Sequence, residues 1–235
     1  MLHSVITEHI AKVRQQVEQA CHKFGRNPSE VKVLAVSKTQ PAEAIRVAAA
    51  TGQQAFGENY LQEALQKQQE LADLPELEWH FIGAVQSNKT REIAENFAWL
   101  HTLARQKIAQ RLNDQRPAKL PKLKVLIQVN ISNEASKAGI LPSEVLGFAK
   151  QLLELPRLEV CGLMCIPKVS EDFTQQRQAF AQLADLQAQL MQALPELNLT
   201  TLSMGMSGDL EAAIAEGSTL VRIGTAIFGA REPKV

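Results

Sequence analysis

Cysteine is scarce in this chain, three in 235 residues, and no pair stands in CxxC spacing. Cys161 and Cys165 lie four apart in an apolar run, a setting for packing and not for zinc ligation. A reducing, cytoplasmic setting is therefore expected. An excess of one charge is also missing: 25 Lys and Arg stand against 25 Asp and Glu. That excludes the generally basic surface of a dedicated nucleic-acid binder, although a local basic patch stays open. No apolar run approaches the roughly eighteen residues of a membrane span, so no membrane partner is expected. The opening Met1-Leu-His-Ser-Val-Ile-Thr-Glu8 has no basic segment leading into an apolar one, which argues against a secretory signal. Five histidines show neither HxH nor HExxH spacing, and a metal centre is not expected. No GxGxxG follows a strand and no GxxxxGK occurs, which removes dinucleotide and P-loop chemistry.

What the chain does have is apolar side chains, 45% of its residues, enough for one large core. No Gly/Ser linker or shift of composition divides it, so residues 1–235 are expected to form one domain. The first segment is an amphipathic helix, with Ile6, Ile10, Val13, Val17, Ala20 and Phe24 at spacings of three and four. Gly25 stops it, and Asn27-Pro28 makes the turn. Beyond it, short β-rich runs at 31–36, 54–56, 79–82, 99–102, 125–129, 158–166, 200–203 and 220–223 are each followed by a helical stretch. Strict alternation implies a parallel sheet covered by helices. Eight such units in about 200–250 residues point to a closed (β/α)8 TIM barrel over an open sheet. The extra N-terminal helix would plug its bottom or lean against its outside.

In such a barrel the loops after the strands form the functional face. Polar residues gather there: Ser37-Lys38-Thr39, Gly57-Glu58-Asn59, Gln86-Ser87-Asn88, Asn130, Ser203 to Ser207 and Arg222 to Thr225. An amine at the end of a buried strand, Lys38, is partly desolvated, which suits it to a Schiff base. It equally suits a lysine reaching out past the barrel mouth. Ser207-Gly208-Asp209 and Gly224-Thr225 are donor-rich turns after strands seven and eight, where barrels commonly bind phosphate. Ser207 also reads as a plain N-cap, with Asp209 and Glu211 answering the helix dipole and competing with an anion. Arg222, inside an apolar strand, needs an acceptor, either a ligand atom or a carboxylate such as Glu58. His80 reads as a hydrogen-bonded core residue, and the faces holding Gln62, Gln66, Gln69, Gln182, Gln189 and Gln192 as solvated surface. The residues alone leave two readings open, a sugar-phosphate aldolase and a pyridoxal phosphate protein.

Longer strings separate them. Leu34-Ala-Val-Ser-Lys38-Thr, Phe56-Gly-Glu-Asn59-Tyr60 and Trp79-His-Phe-Ile-Gly83 with Gln86-Ser-Asn-Lys89 resemble the pyridoxal phosphate homeostasis protein family. So do Gly162-Leu-Met164 with Ile166-Pro167, Leu202-Ser-Met-Gly-Met206-Ser207 and Val221-Arg222-Ile-Gly224-Thr225-Ala-Ile-Phe228-Gly229. The resemblance runs in order from the N-terminal helix to Arg231. It implies the alanine racemase-like barrel (fold type III) with pyridoxal 5'-phosphate as cofactor. Carried over residue by residue, it makes Lys38 the lysine that holds the cofactor as an internal aldimine. Ser207, Gly224 and Thr225 become the phosphate positions, with the Met206 backbone beside them. Arg222 becomes the arginine facing the pyridine nitrogen, and Asn59 a residue beside the ring.

Ala84-Val85 and Cys165 depart mildly from the family pattern, and Gly208 stands where Asp or Ala is common. A permanently protonated arginine repels a proton on the pyridine nitrogen, so the ring is a poorer electron sink. Racemases of this fold also use a tyrosine from an added β-domain of the partner subunit. With Tyr60 as the single tyrosine and the chain ending soon after the eighth strand, that apparatus is expected to be missing. The expectation is a monomeric carrier that keeps free cofactor, and amino- and keto-acid balance, in order. It would exchange cofactor with apo-forms of pyridoxal phosphate enzymes and have no robust catalysis of its own. Lys137, in the loop after strand five, would offer a second amine for exchange. A slow amino-acid racemase or lyase is the alternative.

Overall fold

Short buried aliphatic runs form the strands, and amphipathic segments between them form the helices. In the computed structural model, which describes residues 2–229, the strands are β1 (Lys32–Val36), β2 (Ala55–Glu58), β3 (Glu78–Phe81) and β4 (Trp99–Leu103), then β5 (Leu123–Gln128), β6 (Leu158–Met164), β7 (Thr201–Ser203) and β8 (Leu220–Ile223). Each pairs in parallel with the next, and β8 returns to β1 with Leu34 opposite Arg222, closing the barrel. The helices are α1 (Leu2–Lys23), α2 (Ala42–Ala50), α3 (Leu61–Glu70), α4 (Thr90–Asn96), α5 (Gln106–Gln115), α6 (Val145–Leu153), α7 (Phe173–Ala193), α8 (Leu210–Ala215) and α9 (Thr225–Phe228). Arg231, where the family resemblance ends, lies outside the described residues. No described helix is long and apolar enough to cross a membrane.

Helix α1 leans against the outside of the barrel. Its buried stripe of Ile6, Ile10, Val13, Val17 and Ala20 joins one apolar cluster with Ile45 and Ala48 of α2, Leu210 and Ile214 of α8, and Ile227 of α9. Each of the Val, Leu and Ile side chains contributes roughly 1.5–3 kcal/mol when fully buried. The ring of His9 makes a hydrogen bond of 3.0 Å with the Ile227 carbonyl. Gly25, at φ +67°, ends the segment as expected, and the Asn27 side chain caps the turn that follows.

Several boundaries differ from the sequence expectation. Strand β2 continues through Gly57 and Glu58, which are fully inside. A strand-end acid reads as loop unless its buried counter-charge is known. Strand β6 stops at Met164, two residues early, and α5 runs on to Gln115, where the sequence predicts a helix over 105–112. Arg116 then turns inward and donates to the Ala94, Phe97 and Pro121 carbonyls, satisfying the end of α4. Cys161 and Cys165 pack as expected, and burial pushes both thiols up to about 12.

The β5–β6 pairing jumps from Val125↔Val160 to Leu126↔Gly162, leaving Cys161 as the extra residue of a bulge. Gly162 there has φ +157°, and a Cβ on it would sit 1.7 Å from the Thr201 carbonyl oxygen. Gly162→Ala is expected to cost about 3 kcal/mol or more. Gly147, by contrast, is an exposed helical residue of α6 with open space around it, and Gly147→Ala should add about 0.5–1 kcal/mol. Urea unfolding of the two variants checks both signs.

Candidate functional site

The strands' carboxyl ends enclose a cavity of about 300 Å³, the lower end of the range common for small-molecule sites. Lys38, Asn59, Met206, Ser207, Arg222, Gly224 and Thr225, seven positions far apart in sequence, all line it. Val36, Ile82, Met164, Ile166 and Phe228 supply apolar wall. Two cations and no carboxylate stand on this lining, a balance that favours an anion.

Lys38 follows β1 in a tight turn whose next residue, Thr39, takes φ +66°. That turn is tied down from beneath. The Gln40 N–H donates to the Ser37 carbonyl, and the Ser37 N–H to the Gly57 carbonyl, each at 3.0 Å. Lys67 of α3 reaches in and donates to the Ser37 carbonyl and to Glu58, both at 2.8 Å. The Lys67 and Glu58 side chains are 5% and 0% exposed. The Ser37 hydroxyl also donates to Glu58, and Glu63 completes the cluster with Lys67 and the Thr39 N–H. Burial holds the Glu58 pKa above the ordinary carboxylate value, against the pull of Lys67 and Ser37. Sequence reasoning missed Lys67, although a signal existed. It falls on the inward face set by Leu61, Ala64 and Leu71, where a lysine needs a buried acid.

Asn59 follows β2, and its Oδ1 is buried without a partner on the cavity wall. Its main chain packs hard against Gly83, where a Cβ would meet the Asn59 carbonyl oxygen at 2.1 Å. Arg222 lies in β8 and is 4% exposed. It is not paired with Glu58. Its Nη1 donates to the Ser203 hydroxyl at 2.8 Å and its Nη2 to the Cys165 carbonyl at 3.0 Å. Among the described residues its guanidinium makes no ion pair. Glu58 is committed to Lys67 between β2 and α3, and Arg222's charge faces the cavity. Burial lowers the Arg222 pKa, while Cys165 and Asp209 act to raise it.

Ser207 is not the N-cap of α8; Asp209 holds that position. The Asp209 carboxylate folds back to accept the Met206 N–H at 2.6 Å. Ser207 is thereby left exposed on the turn, beside Gly224 and Thr225 at the start of α9. Burial raises the Asp209 pKa, against the pull of the Met206 N–H and Arg222. Gly205 makes this turn possible, with φ +100° and Ala213 only 2.6 Å from where its Cβ would stand. His80 is a buried, hydrogen-bonded residue inside the barrel, as expected.

Residues 9–232 match the family model of the alanine racemase N-terminal domain. The pyridoxal phosphate homeostasis protein of Pseudomonas aeruginosa is 57% identical over 229 residues, 97% of each chain. The structure of PipY from Synechococcus elongatus with pyridoxal phosphate bound superposes with a TM-score of 0.85 at 40% identity, over 95% of this chain and 100% of that one. Alanine racemase from Corynebacterium glutamicum shares the fold with a TM-score of 0.68 at 19% identity, and this chain spans 60% of its length.

The Lys67–Glu58 pair yields a pH-dependent expectation. Removing Lys67 leaves a buried carboxylate whose pKa rises further, so the folded state binds a proton that the unfolded chain releases above about pH 4.3. Stability then falls as pH rises through that value. Lys67→Met should lose roughly 3–5 kcal/mol at pH 8 and clearly less at pH 5, by urea unfolding at both.

Proposed function

The chain belongs to the pyridoxal phosphate homeostasis protein family, of the alanine racemase N-terminal domain group, and from that premise we propose that it binds and buffers pyridoxal 5'-phosphate in this cavity. The observation that carries the proposal is the lining itself: an amine and a guanidinium, apolar walls and no carboxylate. A flat, anionic ring compound fits that donor set. Bound there, pyridoxal phosphate supplies an aldehyde that condenses reversibly with an amine.

Lys38 offers the amine, held at the mouth by the Ser37 turn. The Ser207 and Thr225 hydroxyls and the Gly224-Thr225 main chain offer donors to the phosphate. Met206 flanks them, its N–H shared with Asp209. Asn59 would stand beside the ring, and Arg222 would face the ring nitrogen. A guanidinium does not give up its proton at working pH, so Arg222 would donate to that nitrogen and disfavour protonating it. The electron demand that drives carbanion chemistry is damped while binding is kept. Tyr60, 54% exposed ahead of α3, is not on the cavity wall, so it does not stand as a second base opposite Lys38. These features favour a carrier over a racemase or lyase.

The same reading makes residues 1–235 one cofactor-binding domain, working as a monomer in the cytoplasm and exchanging cofactor with apo-enzymes. Lys137 sits away from the cavity lining. Its loop is tied by Asn130, whose side-chain amide donates to the Glu134 carbonyl at 2.8 Å. As a second amine it would assist exchange from outside the cavity.

Borohydride treatment of protein incubated with pyridoxal phosphate, followed by peptide mapping, should place one pyridoxyl group on Lys38 and none in Lys38→Ala. No adduct in the wild type would sink the proposal. Loss of a substrate α-deuteron to solvent, in proportion to protein and abolished in Lys38→Ala, would establish the racemase or lyase instead. Slower transfer to an apo-enzyme in Lys137→Ala is expected, and an unchanged rate removes that residue's role. Asp209→Asn keeps the acceptor for Met206 but removes a negative charge beside the phosphate turn. It should tighten pyridoxal phosphate about threefold, by absorbance titration.

A further inference from the structure

A second set of polar side chains crosses the barrel interior behind the cavity. Glu78 and His80 stand on β3, His101 on β4 and Ser203 on β7, and His80, His101 and Ser203 are fully buried. Consecutive contacts join them end to end. Arg222 Nη1 lies 2.8 Å from Ser203 Oγ, and Ser203 Oγ lies 2.9 Å from His101 Nδ1. His101 Nε2 is 2.8 Å from His80 Nδ1, and His80 Nε2 is 2.9 Å from Glu78 Oε1. The far end is anchored by Lys32, which pairs with the same Glu78 oxygen.

The chemistry of the two ends fixes the direction of every link. A carboxylate only accepts, so His80 carries its proton on Nε2 and donates to Glu78. Its Nδ1 must then accept from His101 Nε2–H, which leaves His101 Nδ1 as an acceptor. The Ser203 hydroxyl supplies that proton, and its oxygen is open to the guanidinium, which only donates. The Arg222 end is compatible with this assignment, which the Glu78 end fixes for two neutral rings, and no link then holds two protons or none. Burial agrees with neutral rings: it pulls His80 down to about 4 and His101 well below its usual value, while His80 and Lys32 hold Glu78 far below the carboxylate range. Trp99 stacks on His80 at 5.2 Å between ring centroids, with an interplanar angle of 6°, and fixes its plane.

The geometry points to a positioning role: Glu78, His80, His101 and Ser203 form one directional hydrogen-bond chain that sets the orientation of the Arg222 guanidinium in the cavity. It rests on the pyridoxal phosphate reading of that cavity. The chain orients and does not conduct, because it begins at a group that releases no proton at working pH. With the Cys165 carbonyl holding Nη2, Arg222 is gripped at two points and its plane is set. Its buried charge, without an ion-pair partner among the described residues, is coupled through four hydrogen bonds to the carboxylate of Glu78.

Two readouts test this on the whole protein. Imidazole ¹⁵N spectra without cofactor should show His80 and His101 as neutral Nε2–H tautomers at pH 7. In Ser203→Ala, His101 should relax to a tautomer mixture. Pyridoxal phosphate should then bind about tenfold more weakly, the size of one lost hydrogen bond to a charged group, with a displaced absorption band. Ser203→Thr, which keeps the hydroxyl, should retain both properties, and His101→Gln replaces Ser203→Ala if the latter does not fold. An Nδ1–H tautomer on either wild-type ring overturns the chain. Unchanged cofactor affinity and band in a folded Ser203→Ala or His101→Gln protein overturn the positioning role. A wild type with the expected tautomers that takes up no pyridoxal phosphate would overturn the cavity's assignment, and the positioning role with it. The tautomers thus separate the two failures.

Discussion

Closure of the sheet is the constraint on which everything else in this molecule depends. Because β8 pairs with β1 in the same sense as every other neighbour, all eight strands end on one side. The chain has no sheet edge to protect, and residues from both ends of the sequence meet in one register, Leu34 beside Arg222 and Ala35 beside Ile223. Lys38 and Arg222 therefore share a cavity because of the ring of pairings, with no dedicated contact needed between them.

The protein buries polar groups in two places, between the sheet and α3 and inside the barrel. Near Lys38 the solution is charged: Glu58 and Lys67 neutralise each other, and Ser37 and Glu63 take up the remaining bonds. Behind Arg222 the solution uses neutral rings, with charge confined to the two ends. The two are separate, and that separation matters electrostatically. A carboxylate beside Arg222 would cancel the charge that the cavity presents, whereas Glu58 spends its own on Lys67.

Much of this was legible in the sequence. Strand–helix alternation carries the fold, because continuous apolar strands need cover on both faces; Lys38, Ser207, Arg222, Gly224 and Thr225 stand out from where strands end, while Asn59 and Met206 came from the family resemblance. What stayed hidden were partners. Periodicity places Lys67 on an inward face without saying which acid it meets, and Glu58 read equally well as a partner for Arg222. His101 drew no notice because its bond to Ser203 spans 102 residues and exists only once the barrel's register is set. The plain N-cap alternative for Ser207 does not hold, because α8 starts at Leu210 and Asp209 takes the N-cap position, a boundary two residues away that local sequence does not fix.

The packing of α1 has a bearing on how the molecule is made. Helix α1 docks on α8 and α9, far from it along the chain, and β1 pairs with β8. Neither surface exists until β8, α8 and α9 have been made, so α1 and β1 wait for partners made nearly two hundred residues later. Lys38 and Arg222, on either side of the final seam, come together only when that seam is sewn. A compound captured between them acts as a late proofreader of assembly: it draws the population toward finished barrels by mass action and gives nothing to those still open.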